Sequence, residues 1–183
     1  MQVIENLSIT VEQYIEQSYH KQVRAPLRCL NCLLHDTLKR LGYYKRYTSG
    51  EDGKALLFHV ARFLCKSCKR TTSCLPSFAL TYRAIASRTV ERFLAGGHKE
   101  QDVRRWAYLL EHYLQRYRQK YQWLRDLVGS RFGRGPPGED ATAFLRRAVA
   151  ACGSLGELTI ALTLEFKSTC FGTYCCHQPT YPD

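Results

Sequence analysis

The chain contains no run of eighteen apolar residues, so its sequence predicts no membrane-spanning helix. Its opening, MQVIENLSITVEQYIEQ, has neither a basic start nor an apolar stretch, which argues against an export signal and predicts a reducing, cytoplasmic setting. Acidic side chains are scarce, with 16 Asp and Glu against 27 Lys and Arg and a formal net charge of +11. The deficit is local: residues 21–147 hold 26 of the basic and 10 of the acidic side chains, while the first twenty residues carry −3 and the last thirty-six −2. A positive field over the middle of the chain attracts polyanions, nucleic acid first and an acidic membrane surface second. A length of 183 residues suits one domain of moderate size, or a small metal module joined to a helical one.

Cysteine, by contrast, is plentiful, with nine in the chain. Cys29 and Cys32 form one Cys-x-x-Cys pair, and Cys65 and Cys68 form another, separated from the first by thirty-two residues. Each pair sets two thiolates at the tip of one tight turn, and two such turns supply the four sulfurs of a closed tetrahedral shell around one structural Zn2+. A closed shell leaves no position for water, so the motif predicts a folded binding module rather than an enzyme. His35 and His59 lie between the pairs as alternative ligands, although a surface or packing role is the commoner use of a histidine there. Cys74 and Cys152 read as small buried hydrophobes. Cys170, Cys175, Cys176 and His177 form a second group whose adjacent cysteines are poorly spaced for a tetrahedral site.

Local signals outline the remainder. A short helix is expected over 10–20, with Thr10 and Gln13 as a capping box, Ile9 and Tyr14 as a hydrophobic staple, and Pro26 ending any continuation. YYKRYT at 43–48 and ALLFHVARFLC at 55–65 flank the turn signal SGEDG and predict a β-hairpin that runs into Cys65. Tyr82, Ile85, Ala86, Val90, Phe93 and Leu94 have helical spacing before Gly96-Gly97. A second helix is expected over 99–128, ending from Gly129, with a stripe of Val103, Trp106, Leu110, Tyr113, Tyr117, Tyr121, Leu124 and Val128. Arg104, Arg105, Arg116, Arg118, Lys120 and Arg125 stand beside or opposite that stripe, so the pair of helices resembles a helix-turn-helix. GRGPPGED at 133–140 reads as a linker, followed by two short helices capped by Asp140 and by Ser154 with Glu157. The expected fold is α+β, a small zinc-ribbon β-hairpin module joined to a mainly helical domain. The divisions are a lead-in at 1–26, the four-cysteine ribbon at 27–76, a helix-turn-helix segment at 77–132, and the linker, helices and cysteine-rich tail at 133–183.

From Arg24 to Pro76, RAPLRCLNCLLHDTLKRLGYYKRY followed by ARFLCKSCKRTTSCLP resembles the zinc-finger region at the N-terminus of bacterial insertion-sequence transposases and of short mobile-element proteins. The resemblance rests on Cys-x-x-Cys after a proline, a basic-aromatic segment, Arg-Phe-x-Cys-x-x-Cys, and Lys69, Thr71, Ser73, Leu75 and Pro76 with one position shifted. It covers roughly the first 125 residues, and Val103-Arg104-Arg105-Trp106 looks like the start of the recognition helix that usually follows. It implies binding to the ends of a mobile element or to target DNA. A full transposase of this type adds a domain with three carboxylates, but beyond residue 128 only Glu139, Asp140, Glu157, Glu165 and Asp183 are acidic, so any catalysis is expected from another chain.

The leading expectation is thus a zinc-dependent, nucleoid-associated DNA-binding protein of transposition, with double-stranded DNA, a catalytic transposase subunit and a second copy of the chain as partners. Lys45, Arg46, Arg62, Lys69 and Arg70 are the expected phosphate contacts, and Arg104 and Arg105 the expected groove contacts. RNA remains an alternative ligand, since phosphate attraction does not distinguish the two polymers. The competing expectation is an adaptor that associates through the aromatic stripe at 103–128.

Overall fold

The computed structural model describes residues 1–80, 83–166 and 168–171, so Tyr82, Cys175, Cys176 and His177 lie outside the described residues. In chain order the elements are β1 (Gln2–Glu5), α1 (Val11–Glu16), a 3-10 turn (Tyr19–Lys21), β2 (Leu38–Ser49), β3 (Ala55–Cys65), β4 (Thr71–Pro76), α2 (Ser87–Leu94), α3 (Gln101–Phe132), α4 (Ala141–Cys152) and α5 (Leu155–Phe166). The fold is α+β, with one four-stranded sheet and five α-helices among the described residues. No helix among them is long and apolar enough to cross a membrane.

The sheet order is β1-β4-β3-β2. β2 and β3 form the expected hairpin, in register from Leu38 opposite Cys65 to Ser49 opposite Ala55, with a bulge between Arg40 and Gly42. β3 is almost continuously apolar because it is an interior strand covered on both faces. Ala61, Phe63 and Cys65 pack with Val23, Cys29, Leu38 and Cys74, whereas Phe58 and Val60 pack with Tyr14, Leu75 and Ala79. β4 runs antiparallel to β3, and β1 adds in parallel to β4 from Gln2 opposite Ser73. Four half-buried residues made β1 too short for its sequence to announce it.

The capping box of Thr10 and Gln13 forms as expected, and Ile9 packs in the cluster that buries Tyr14. The helix stops at Glu16, and a 3-10 turn follows after Ser18 takes a left-handed backbone. Arg40 secures this segment to the hairpin by donating to the carbonyls of His20, Lys21 and Val23 while its guanidinium lies 5.1 Å from the Phe63 ring centroid.

The helical half is built around α3. Val103, Leu110, Tyr113, Tyr117, Tyr121, Leu124 and Val128 are all buried in one core with α2, α4 and α5, and Trp106 is packed at its edge. The stripe that the adaptor reading assigned to a partner is thus occupied within the chain. Two boundaries differ from expectation. α2 begins only at Ser87, because Ala86 is held in a bridge to Ala79 and its N–H donates to Ser49 Oγ at 2.9 Å. α3 continues through Gly129 to Phe132. A Cβ at Gly129 would lie 2.9 Å from Arg134 Cγ, so this glycine admits the returning 133–140 loop instead of ending the helix. That loop is tied down: Arg125 Nε donates to Arg134 O at 2.9 Å, and Tyr121 Oη donates to Glu139 O at 2.8 Å. Asp140 caps α4 through Thr142 and Ala143 N–H as its spacing predicted, and Ser154 Oγ accepts from Glu157 N at 3.1 Å, one half of the capping box expected of that pair.

The two halves meet at the hairpin turn. Gly53 has φ 77°, and a Cβ there would lie 2.6 Å from Asp102 Cα, so only glycine admits the start of α3 so closely. Trp106 Nε1 donates to Gly53 O at 2.9 Å. Beneath this contact, buried Asp102 accepts from Arg92 Nη1 at 2.9 Å and joins α2 to α3.

Candidate metal centre and basic groove

Cys29, Cys32, Cys65 and Cys68 come together with all four sulfurs within 4.8 Å of one another. Cys29 Sγ lies 3.7 Å from Cys68 Sγ, and Cys32 Sγ lies 3.6 Å from Cys65 Sγ. All four thiols are free, and Cys29 and Cys65 are buried. Among the described residues this is the one cluster of His, Cys, Asp and Glu suited to a metal ion. His35 is exposed and outside it, and His59, half-buried with its ring 4.9 Å from that of His20, is outside it too.

The backbone shapes both turns alike. Leu33 N–H donates to Cys29 O at 2.9 Å, and Lys69 N–H donates to Cys65 O at 3.0 Å. Leu33 and Lys69, each following the second cysteine of its pair, have φ 60° and 59°. A left-handed residue other than glycine costs roughly 1 kcal/mol. Asn31 N–H donates to Cys29 Sγ and Cys68 N–H to Cys65 Sγ, and the latter bond favours thiolate at Cys65. Thr37 Oγ1 lies 3.2 Å from Cys65 Sγ, and this contact is the main reason the Cys65 thiol is lowered to about 6. At Cys32 the Leu34 backbone N–H favours the thiolate, but burial and the sulfurs of Cys65, Cys29 and Cys68 outweigh it and push the thiol up to about 11. Four sulfurs this close do not share out negative charge without a cation, so the donor set fits a thiophilic metal ion.

The expected contact residues separate into three places. Lys69 and Arg70 are exposed at the metal end, where Lys39 and then Lys69 lower the pKa of Lys66. Arg104 and Arg105 are exposed on α3, next to the hairpin turn at the other end. Between them, a groove of about 640 Å3 crosses the sheet, lined by Gln2, Tyr44, Arg46, Tyr47, Arg62, Ser73, Arg83 and Ala84. Gln2, Ser73 and Arg62 are neighbours in register across β1, β4 and β3. Arg62 donates to Thr71 Oγ1 at 3.2 Å and lies 5.8 Å from the Tyr44 ring centroid. Lys45 is exposed on the edge strand. Arg46 does more than present charge: its Nη2 donates to Leu80 O at 3.1 Å and to Arg83 O at 2.8 Å, bracing the groove wall.

Arg83 had no sequence signal. Its place depends on the Ala79–Ala86 bridge and on donation from its guanidinium to Phe171 O, which are contacts between distant parts of the chain. Cys74 and Cys170 are buried, and burial raises both thiols to about 12.

No protein-family model matches this chain, and no curated protein or solved structure shows significant similarity to it.

Proposed function

We propose that the chain is a zinc-braced DNA-binding protein that grips duplex phosphates along its β-hairpin. The observation that carries the reading is the groove, where Arg46, Arg62 and Arg83 converge beside Tyr44 and Tyr47. Basic residues continue from it to Lys69 and Arg70 at one end of the hairpin and to Arg104 and Arg105 beyond the other. The eleven residues of β3 span ~35 Å at a rise of about 3.3 Å per residue. That length matches roughly one turn of duplex DNA, so phosphates on one side of the double helix have partners along the whole row.

Zinc suits the four sulfurs, since a tetrahedral shell with bonds of about 2.3 Å sets sulfurs about 3.8 Å apart. Filled by cysteine alone, the shell serves as a brace. It locks the turn holding Cys29 and Cys32 to the end of β3, where Leu38 pairs with Cys65, and so sets the register that carries Tyr44, Arg46 and Arg62. The resemblance of residues 24–76 to transposase zinc fingers directs the reading to duplex DNA and to transposition, with strand chemistry supplied by another chain. Because the aromatic stripe of α3 is buried, an adaptor would have to use the outer face, where Tyr108 is 89% and Trp123 54% exposed.

Anisotropy of a labelled duplex, titrated with zinc-loaded protein at low and rising ionic strength, tests the reading. A salt-dependent rise is expected, and Arg62→Ala should weaken binding by about fivefold and lower the salt slope by about one. No salt-dependent rise, or a fully active Arg62→Ala, would sink it. Competition by RNA and by single strands of the same sequence identifies the preferred polymer.

A further inference from the structure

The two cysteine turns make the same backbone demand and meet it with unexpected side chains. Leu33 and Lys69 both occupy the left-handed region, where glycine sits without strain. Both are exposed, and Leu33, at 54% exposure, belongs to none of the apolar clusters of the described residues. A strained position kept by a solvent-facing leucine points to a use outside the chain's own packing. Leu27, 76% exposed, and Leu34, 50% exposed, stand on the same loop. That loop is firmly built: Cys29 N–H donates to Leu34 O, Asp36 N–H donates to Leu27 O, and Arg28 bridges to His35. Arg28, Lys39, Lys66, Lys69 and Arg70, all exposed, give the same end of the molecule a basic rim.

We propose that this sulfur-held tip is a wedge for duplex DNA: Leu33, flanked by Leu27 and Leu34, enters the minor groove and partly unstacks a base step, while Lys69 and the basic rim hold the adjoining phosphates. The inference rests on the DNA-binding reading above. An apolar point surrounded by cations complements a polymer with its charge outside and its apolar base faces within. An anionic lipid surface presents a related pattern, but interfacial segments bury a broad apolar helix face, and this tip is a single tight loop continuing the row of basic residues from the groove. Opening a base step bends the duplex toward the protein and brings more phosphates within reach of that row.

The test uses the full zinc-loaded chain with duplexes enriched from a random pool by binding. These carry 2-aminopurine at successive steps and a dye pair at their ends. Wild-type protein should raise 2-aminopurine emission at one step and shorten the end-to-end distance. Leu33→Gly and Leu33→Asn should both abolish these signals yet keep one zinc per chain and an unchanged or higher Tm, with affinity within about threefold. Lys69→Gly should keep Tm and lower affinity by about fivefold, with a salt slope smaller by about one. The wedge is overturned if wild-type protein binds duplex without unstacking, which leaves the DNA-binding reading standing. It also fails if Leu33→Gly lowers Tm and leaves the DNA signals intact, since the leucine would then serve packing. No duplex binding at all removes both readings, and leucine-dependent capture on phosphatidylserine vesicles without unstacking gives the tip to membranes.

Discussion

The sheet half and the helical half are held together by different means. Twenty-one buried residues from Leu80 to Phe171 form one continuous cluster in the helical half. The sheet half divides twelve buried residues between two clusters of seven and five, and the larger one includes Cys29 and Cys65 of the metal centre. A core that small is marginal by area alone, and an ion held by the four cysteines would add the free energy it lacks. The helical half has a larger core of its own, and the β2–β3 register that spaces the basic side chains of the hairpin starts at Cys65.

Loss of an ion from the four cysteines should separate the behaviour of the two halves most visibly. Structural zinc contributes on the order of 10 kcal/mol to small modules, so chelation, or Cys65→Ser, should unfold the end that contains β2, β3 and both cysteine turns. Helical circular dichroism from α3, α4 and α5 should largely survive, and hydrogen exchange should localise the loss to the sheet. If both halves melt together, the chain is one cooperative unit and the contrast fails. The reciprocal change is Leu145→Ala in the helical core, where the buried side chain should leave a cavity and cost about 3 kcal/mol. Its melting should shift in the helices while zinc stoichiometry stays at one.

Acidity provides the smallest and most local probe. Burial first, then His59, Lys21 and Arg40, lowers the pKa of His20, whose ring also meets Tyr43 edge-on at 4.8 Å. Folded His20 therefore binds fewer protons than the unfolded chain. Its stabilising contribution is complete above the ordinary histidine value of 6.5 and is lost as pH falls through the lower folded value. His20→Gln should flatten the pH dependence of sheet-half stability in that window, measured by hydrogen exchange in β2 and β3, and leave the helical half unchanged.

Signals confined to a few residues were legible in the sequence. Cys-x-x-Cys pairs, the Thr10 and Asp140 caps and the turn at SGEDG each have a local physical cause, and each appears where its spacing placed it. Contacts between distant segments were not legible. The backbone of Ala86 is held by Ser49 and so shortens α2, and Gly129 makes room for Arg134 instead of ending a helix. Likewise, nothing near Arg83 in sequence announced its meeting with Arg46, because a bridge and a carbonyl eighty-eight residues away set that position. The aromatic stripe of α3 was visible as a stripe, but the spacing left open whether its partner lay within the chain or outside it.

The hydrogen bond from Trp106 to Gly53 gives the molecule a built-in gauge. An indole donating to the turn at one end of a hairpin, with four sulfurs at the other, is placed to report whether that hairpin is in register. The emission of Trp106 should therefore track metal loading from about 35 Å away without any attached dye. Read in a Trp123→Phe background, the natural chromophore would report the state of the sulfur end during every titration described above.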